Sequence, residues 1–159
     1  MSASVDKKIR LLVVDDHFFV RMGLACSLNA EPDLQVVAEA DNGDLGIKLF
    51  REHRPDVVIL DGRLPGLSGL DTLTTLRQEF PNARVLMLSI DEGIGEVQQA
   101  FQAGAAGYLS KAAQLQELLR AIRAIHAGEL YLPKNFVGPS AGGRAGSEPT
   151  TQRTPACAP

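Results

Sequence analysis

The chain contains few cysteines, and their spacing excludes two common ways of stabilising a small fold. Only Cys26 and Cys157 occur among its 159 residues. Two cysteines this far apart match neither the spacing of a structural zinc site nor the framework of a small disulfide-rich secreted domain. We interpret Cys26 as a small core residue and Cys157 as an incidental thiol. Both fit a reducing, cytoplasmic environment.

Long apolar runs and an excess of basic residues are also missing. No apolar run approaches the roughly 18 residues that span a bilayer, and residues 1–8 lack a signal-peptide core. We therefore expect a cytoplasmic protein without membrane contact, with residues 1–8 disordered. Lys and Arg number 16 against 19 Asp and Glu, which gives a net charge of -3. Because DNA-binding domains usually carry a clustered basic face, this balance argues against DNA binding by this chain alone.

The last part of the chain differs sharply in composition from the rest. Between residues 138 and 159 there is no Leu, Ile, Val, Phe, Met, Tyr or Trp. Such a segment buries too little apolar surface to offset the entropy lost on ordering. We predict one domain at residues 9–132, followed by a flexible, linker-like tail at residues 133–159 without a DNA-binding domain.

Five short apolar runs alternate with segments of helical spacing. The runs lie at residues 9–14, 34–38, 57–60, 85–88 and 106–109. Several are continuously apolar, as in strands covered on both faces of a parallel sheet. Between them apolar residues recur every three or four positions, for example Val20, Leu24 and Leu28. The pattern predicts an α/β fold in which five βα units form a doubly wound, five-stranded parallel sheet.

Polar residues follow four of these runs, at the point where each strand should end. Asp15 and Asp16 follow the first run, Asp61 the third and Ser89 the fourth, while Lys111 comes two residues after the fifth. Since parallel strands all point the same way, these side chains should meet at the carboxyl edge of the sheet. Ligands of open α/β sheets bind at that edge.

The grouped side chains favour phosphoryl chemistry. Three neighbouring carboxylates repel one another unless a cation joins them, and oxygen ligands without His or Cys favour Mg²⁺. Lys111 and Ser89 could neutralise the oxygens of a phosphoryl group. Asp61 is then a candidate nucleophile that forms an aspartyl-phosphate.

Each of these residues alone has a simpler explanation. An Asp after a strand usually belongs to a turn or caps a helix. Ser89 alone reads as a helix cap, and Lys111 alone as a solvated surface lysine. The functional interpretation depends on their joint placement at the ends of four strands.

The motifs resemble those of the receiver domain of two-component response regulators, especially the subgroup with a LuxR-type helix-turn-helix output. The resemblance covers about residues 9–132. The matching stretches are LVVDDH at 12–17, LDGRLPG at 60–66 with SG at 68–69, LS at 88–89 and AGAAGYLSK at 103–111. The resemblance implies a flavodoxin-like (βα)5 receiver.

The resemblance also assigns roles to individual residues. It implies that Asp61 is the phosphoacceptor, and that Ser89 and Tyr108 are the switch residues that respond to the phosphoryl group. Lys111 would pair with the phosphoryl oxygens. The implied Mg²⁺ ligands are Asp15 (largely through water), Asp16, Asp61 and the backbone carbonyl of Arg63.

Further expectations concern partners and departures from the family. The resemblance implies phosphorylation by a sensor histidine kinase, a possible homodimer after phosphorylation, and a signalling domain that is not an enzyme in the usual sense. DNA binding would require an output domain that this chain lacks, so we expect a stand-alone receiver, a truncated chain or one altered near its C-terminus. Gly62 stands where the family usually has a bulky aliphatic residue.

Two other functions remain as alternatives. A phosphohydrolase with an aspartate nucleophile would need a second Asp two residues after Asp61, where the chain has Arg63. A flavin- or nucleotide-binding module would need a phosphate-binding loop after the first strand. Asp15 and Asp16 stand in that position instead.

Overall fold

The computed structural model describes residues 7–90 and 93–133. Within them, five strands alternate with five helices. The strands are β1 (Ile9–Val14), β2 (Leu34–Ala40), β3 (Val57–Asp61), β4 (Val85–Ser89) and β5 (Gly107–Ser110). The helices are α1 (Phe18–Asn29), α2 (Gly43–His53), α3 (Gly69–Glu79), α4 (Ile94–Gln102) and α5 (Leu115–His126). The predicted order of strands and helices is therefore confirmed.

The five strands form one parallel sheet in the order β2-β1-β3-β4-β5. The predicted strand positions agree to within one or two residues at each end. The largest difference is β2, which continues past residue 38 because Val14 still pairs with Ala40. A shift in register between Leu11 and Leu12 lets β2 carry one extra residue opposite β1. The sheet is open and doubly wound, as predicted.

Two separate cores lie on the two faces of the sheet. Alternate residues of β3 point to opposite faces, so Val57 and Ile59 pack in one core while Val58 and Leu60 pack in the other. Helices α1 and α5 cover the first core. Helices α2, α3 and α4 cover the second. Because both faces are covered, the central strand is apolar throughout until it reaches Asp61.

Helix α1 corrects one expectation. Its buried residues are Ala25 and Leu28, and Val20, near its start, is 41% exposed. Cys26 is exposed rather than a core residue. Each residue of a helix advances 100° around the axis, and Cys26 therefore turns away from the face on which Ala25 sits.

The chain turns back onto the sheet after α5. Gly128 adopts a positive φ of 95° just past the helix, as expected of a glycine that ends a helix. Tyr131 then forms a parallel bridge with Gly107 at the start of β5. Its backbone N–H donates to the Ala106 carbonyl at 2.9 Å, and its own carbonyl accepts from the Tyr108 N–H at 3.1 Å.

The two segments that were predicted to be disordered fall mostly outside the described residues. The predicted disordered N-terminus falls mainly on residues 1–6, and the predicted flexible tail on residues 134–159. Both segments lie outside the described residues.

None of the helices in the described part of the chain has the length and apolar character needed to cross a membrane.

Candidate functional site

The structure brings the predicted edge residues to the carboxyl ends of β1, β3, β4 and β5. Asp15 follows β1 directly, and Asp61 is the last residue of β3. In the neighbouring strands, Asp61 pairs with Leu88 and Ser89 pairs with Ser110. Asp15, Asp61 and Ser89 are each only 2% exposed. Three polar side chains are thus buried where the apolar strands end.

The backbone around Asp61 is tightly constrained. Its Oδ1 accepts a hydrogen bond of 3.0 Å from the Arg63 N–H, and the Gly62 N–H donates to the Leu88 carbonyl at 2.9 Å. Gly69, the first residue of α3, packs directly against this turn. A Cβ atom at Gly69 would lie 2.7 Å from the Gly62 Cα and closer still to the Asp61 carbonyl oxygen. The start of α3 therefore sets the position of Asp61.

Gly69 is a residue whose importance the sequence interpretation missed. The resemblance included it only as part of a matching stretch. The sequence signal that could have found it is the Ser68-Gly69 pair: the Ser68 hydroxyl caps α3 by accepting from the Asp71 N–H at 3.0 Å. A capping serine followed by glycine marks the point where the helix begins. The close approach to Asp61 arises only when α3 docks against the end of β3.

Lys111 joins the two buried carboxylates. Its backbone N–H donates to the Ser89 carbonyl at 2.9 Å, which holds the residue beside the end of β4. Its Nζ lies 3.0 Å from Oδ2 of Asp15 and 3.0 Å from Oδ2 of Asp61. The side chain is 15% exposed. The lysine is therefore largely enclosed, and not a solvated surface residue.

The charges in this cluster are incompletely satisfied. Oδ2 of Asp15 and Oδ2 of Asp61 each face the Lys111 ammonium group at 3.0 Å, and neither has another donor among the described residues. Burial raises the pKa of Asp61 above its usual value, although the Arg63 N–H and Lys111 counteract it. Burial alone would lower the pKa of Lys111, but its contacts with Asp15 and Asp61 prevail and raise it. One ammonium group thus compensates two buried carboxylates only partly.

The structure places an imidazole beside the predicted oxygen ligands. The Nδ1 atom of His17 lies 3.2 Å from Asp15 Oδ1 and 3.2 Å from Asp16 Oδ1. One ligand atom from each of Asp15, Asp16, His17 and Asp61 lies within 4.8 Å of the others. The imidazole thus lies beside the carboxylates that are predicted to hold Mg²⁺. The sequence signal was simple, since His17 follows Asp16 directly.

The cluster has the composition of a cation site. Asp16 is an exposed residue with 31% of its side chain accessible, so it lies between the buried carboxylates and solvent. Lys111 is the one donor that the two Oδ2 atoms share among the described residues, which leaves further acceptor capacity inside the cluster. Carboxylate oxygens are the ligands preferred by Mg²⁺, which usually keeps several waters. The described residues therefore fit a hard divalent cation at this edge.

Ser89 and Tyr108 line a cleft next to Asp61. Tyr108 is 3% exposed and packs in the core beneath α4. The cleft has a volume of about 370 Å³, and Gly62 and Glu96 also contribute to its wall. A Cβ atom at Gly62 would lie 3.4 Å from the Ser89 Oγ. Because Gly62 has no side chain, this end of the cleft stays open beside the serine hydroxyl.

The chain matches known proteins over most of its length. Residues 11–123 match the model of the response regulator receiver domain. The chain is 42% identical to the response regulator GacA of Pseudomonas aeruginosa over 124 residues, which cover 78% of this chain and 58% of GacA. It is 35% identical to the nitrate/nitrite response regulator protein NarL of Escherichia coli over 143 residues, 90% of this chain and 66% of NarL. The chain thus spans about three fifths of the length of these relatives.

Solved structures of response regulators also resemble the fold of this chain. A LuxR-family two-component response regulator from Aurantimonas sp. superposes with a TM-score of 0.76 and 35% identity, covering 86% of this chain and 94% of that one. The receiver domain of the putative response regulator NarL from Mycobacterium tuberculosis gives a TM-score of 0.75 and 36% identity, with 77% and 99% coverage.

Proposed function

Because the chain belongs to the response regulator receiver family, we propose that it acts as the phosphoacceptor module of a two-component system, with Asp61 as the acceptor. The observation that carries this proposal is the contact of Lys111 Nζ with both Asp15 and Asp61 at 3.0 Å. A lysine held between two buried carboxylates can exchange part of that contact for the oxygens of an incoming phosphoryl group. A solvated lysine would lack such a fixed position.

The transfer step forms one bond and breaks another. A carboxylate oxygen of Asp61 attacks the phosphorus atom of a phosphohistidine on a sensor histidine kinase, and an O–P bond forms. The P–N bond breaks, and its electron pair returns to the imidazole nitrogen of the kinase. The Arg63 N–H donates to Oδ1 of Asp61 at 3.0 Å, and Lys111 Nζ lies 3.0 Å from Oδ2, so both carboxylate oxygens are oriented before transfer.

The edge site also accounts for the need for a cation. Asp16, Asp61 and the Arg63 backbone carbonyl would hold Mg²⁺, with Asp15 acting largely through water. When bound, Mg²⁺ neutralises charge on the phosphoryl oxygens. Lys111 supplies a second positive charge, 3.0 Å from Oδ2 of Asp61. Burial of Asp61 keeps competing water away from the carboxylate before transfer.

We propose that Ser89 and Tyr108 respond to the phosphorylation of Asp61. A phosphoryl group adds negative charge and strong acceptor oxygens beside the Ser89 hydroxyl. Ser89 moving toward it would widen the cleft that Tyr108 lines. The buried ring of Tyr108 could then follow, which would alter the surface of α4. A local hydrogen bond is thereby converted into a change at the protein surface.

The wider assignment follows the family. We assign residues 9–132 to the receiver unit, supported by the sheet, its helices and the Tyr131 bridge, and residues 133–159 to a linker-like segment. The receiver is a signalling domain. We propose that it catalyses only its own phosphorylation and dephosphorylation, and that it does so in the cytoplasm, where kinases use ATP. In longer relatives this switch would control transcription through a DNA-binding output domain. We also propose that the receiver forms homodimers after phosphorylation.

The proposal is tested by incubating the protein with Mg²⁺ and acetyl phosphate, followed by intact mass spectrometry. The expected product carries one base-labile phosphoryl group, and Asp61→Asn abolishes it. Asp44→Asn, an exposed carboxylate on α2, serves as the matched control and retains the adduct. An adduct that survives Asp61→Asn, or steady hydrolysis of many phosphomonoesters, would contradict the proposal.

A further inference from the structure

Arg21 is the one charged residue of α1, and its side chain reaches back to the end of β1. Its Nη1 donates to the Asp15 carbonyl oxygen at 2.6 Å, and its Nε lies 3.5 Å from Oε1 of Glu39 near the end of β2. Only 16% of the arginine side chain is exposed. Arg21 thereby connects the ends of two neighbouring strands to the helix that follows the first of them.

This contact completes the anchoring of the Asp15 backbone. The Asp15 N–H donates to the Ala40 carbonyl at 3.0 Å, and its own carbonyl accepts from Arg21. That carbonyl belongs to the planar peptide group that joins Asp15 to Asp16. Because both polar groups of the Asp15 backbone are held, the direction of its side chain and the position of Asp16 are set together.

Arg21 is itself held in place on several sides. Its backbone N–H donates to the His17 carbonyl at 2.9 Å, within the first turn of α1. Its guanidinium carbon lies 5.9 Å from the centroid of the Phe18 ring, which is within the range of a cation–π contact. Glu39 offsets part of its charge. A guanidinium that is preorganised in this way loses little side-chain freedom when it donates to Asp15.

We propose that Arg21 is a positioning residue for the acidic pair Asp15 and Asp16, and that it sets the affinity of this edge for Mg²⁺. It acts through the Asp15 carbonyl and not on the cation, since a guanidinium has no acceptor to offer a metal ion. Without this contact the peptide group between the two aspartates is free to rotate, and the Asp16 carboxylate is less often in place for the cation. The inference rests on the proposed function, because the cation site is part of it.

The test measures Mg²⁺ binding to the full, unphosphorylated chain by isothermal titration. Arg21→Met is expected to raise the Kd for Mg²⁺ roughly tenfold, the lower end of the effect of removing a group that orients a metal ligand. The Mg²⁺ concentration that gives half-maximal phosphorylation by acetyl phosphate should rise in parallel, whereas the rate at saturating Mg²⁺ should stay within about twofold of the wild type. A purely structural role would lower the folded fraction but leave the Kd of the folded molecules unchanged.

Three further variants serve as controls. Arg51→Met removes a guanidinium on α2 that pairs with Glu79 at 2.7 Å, and it should keep the wild-type Kd. Glu39→Gln removes the ion pair but keeps the contact between Arg21 and Asp15, and it should raise the Kd by less than about threefold because exposed pairs contribute little. Arg21→Lys keeps the charge but cannot hold Asp15 and Glu39 together, so its Kd should lie between those of Arg21→Met and the wild type.

The outcomes separate this inference from the proposed function. An unchanged Kd in Arg21→Met, or an equal rise in Arg51→Met, overturns the inference. So does a rise in Glu39→Gln equal to that in Arg21→Met, since the contact with Asp15 would then not be the cause. If circular dichroism shows that Arg21→Met does not fold, Arg21→Lys decides, and a wild-type Kd in that variant overturns the inference. Failure of the proposed function would instead appear as the absence of a phosphoryl adduct on Asp61 in the wild type, while the differences in Mg²⁺ binding persist.

Discussion

The ammonium nitrogen of Lys111 lies 3.0 Å from Oδ2 of Asp61 and equally far from Oδ2 of Asp15. Both carboxylates are 2% exposed, so one positive charge stands against two negative charges in a place with little water. Interactions between charges are much stronger there than at the surface. We expect the excess negative charge to lower stability and to favour cation binding, and it underlies the first three predictions.

Replacing Asp61 by Asn should stabilise the protein at neutral pH. Burial raises the pKa of Asp61 in the folded state. The stability that Asp61 contributes is therefore complete below the usual carboxyl pKa and is lost as pH rises through the raised folded-state value. Asn stays neutral, so the variant should gain on the order of 1 kcal/mol in unfolding free energy at pH 7 and less near pH 4. Urea unfolding at both pH values measures this difference.

The matched control for that experiment is Asp44→Asn, whose carboxylate is exposed on α2. Substitutions at such surface positions usually change stability by less than about 0.5 kcal/mol. A gain in Asp61→Asn that is equal at both pH values would contradict the electrostatic explanation. So would a loss of stability at pH 7.

Mg²⁺ should stabilise the wild-type protein, and a chelator should reverse the effect. A ligand that binds only the folded state adds about 2.7 kcal/mol at a concentration of 100 times its Kd. Thermal unfolding with increasing Mg²⁺ should show a rising Tm. Asp16→Asn and Asp61→Asn should each reduce that rise, since each removes a carboxylate from the cluster. An identical rise in these variants would place the cation elsewhere.

Replacing Lys111 by Met should destabilise the protein, because it leaves two buried carboxylates without their cation. Breaking a buried ion pair by removing one partner costs about 3 kcal/mol or more. Adding Asp61→Asn to Lys111→Met should recover a large part of this loss. Lys48→Met, on the exposed side of α2, is the control. If the double variant is as unstable as the sum of the two single variants, the two residues are not coupled.

Replacing Gly69 by Ala should damage the site through the backbone. The added Cβ would press on the Asp61 carbonyl oxygen and lie 2.7 Å from the Gly62 Cα, and backbone atoms cannot move aside as side chains do. We expect a loss of about 1–3 kcal/mol in stability and a lower rate of Asp61 phosphorylation. Intact mass against time measures the second effect.

Gly23→Ala is the control for this experiment, and we expect it to raise stability where Gly69→Ala lowers it. Gly23 lies within α1, and a Cβ there would meet no atom within 4 Å. Alanine is a better helix former than glycine, so this variant should gain about 0.4–1 kcal/mol. If Gly69→Ala behaves like Gly23→Ala, the α3 start does not position Asp61.

The fold could be predicted from the sequence because its signals are local and repeated. Each strand appears as an apolar run, and the residue after the run is polar, so the order of the runs alone places Asp61 and Ser89 at one edge of the sheet. The register between neighbouring strands could not be predicted with the same accuracy. The extra residue in β2 opposite Leu11 and Leu12 depends on how two strands pack, which neither strand encodes alone.

The features that the sequence did not reveal have a common physical origin in tertiary packing. Val20 follows the helical spacing of α1 but is 41% exposed, because only the later part of that helix lies against the core. Cys26 has a residue type that is often buried, yet its neighbour Ala25 takes the inward position. The contact of His17 with Asp15 and Asp16 needs the turn after β1 to fold back, and the contact of Gly69 with Asp61 needs α3 docked on β3.

The return of the chain after α5 has a consequence for solubility. β5 is an edge strand of only four residues, and unpaired edges can recruit extended segments of other chains into aggregates. Tyr131 already accepts from the Tyr108 N–H and donates to the Ala106 carbonyl, so these backbone groups are not offered to a foreign strand. Its hydroxyl donates to Glu117 at 3.1 Å, which ties the covering segment to α5. The bridge therefore protects the amino end of β5 against intermolecular strand addition.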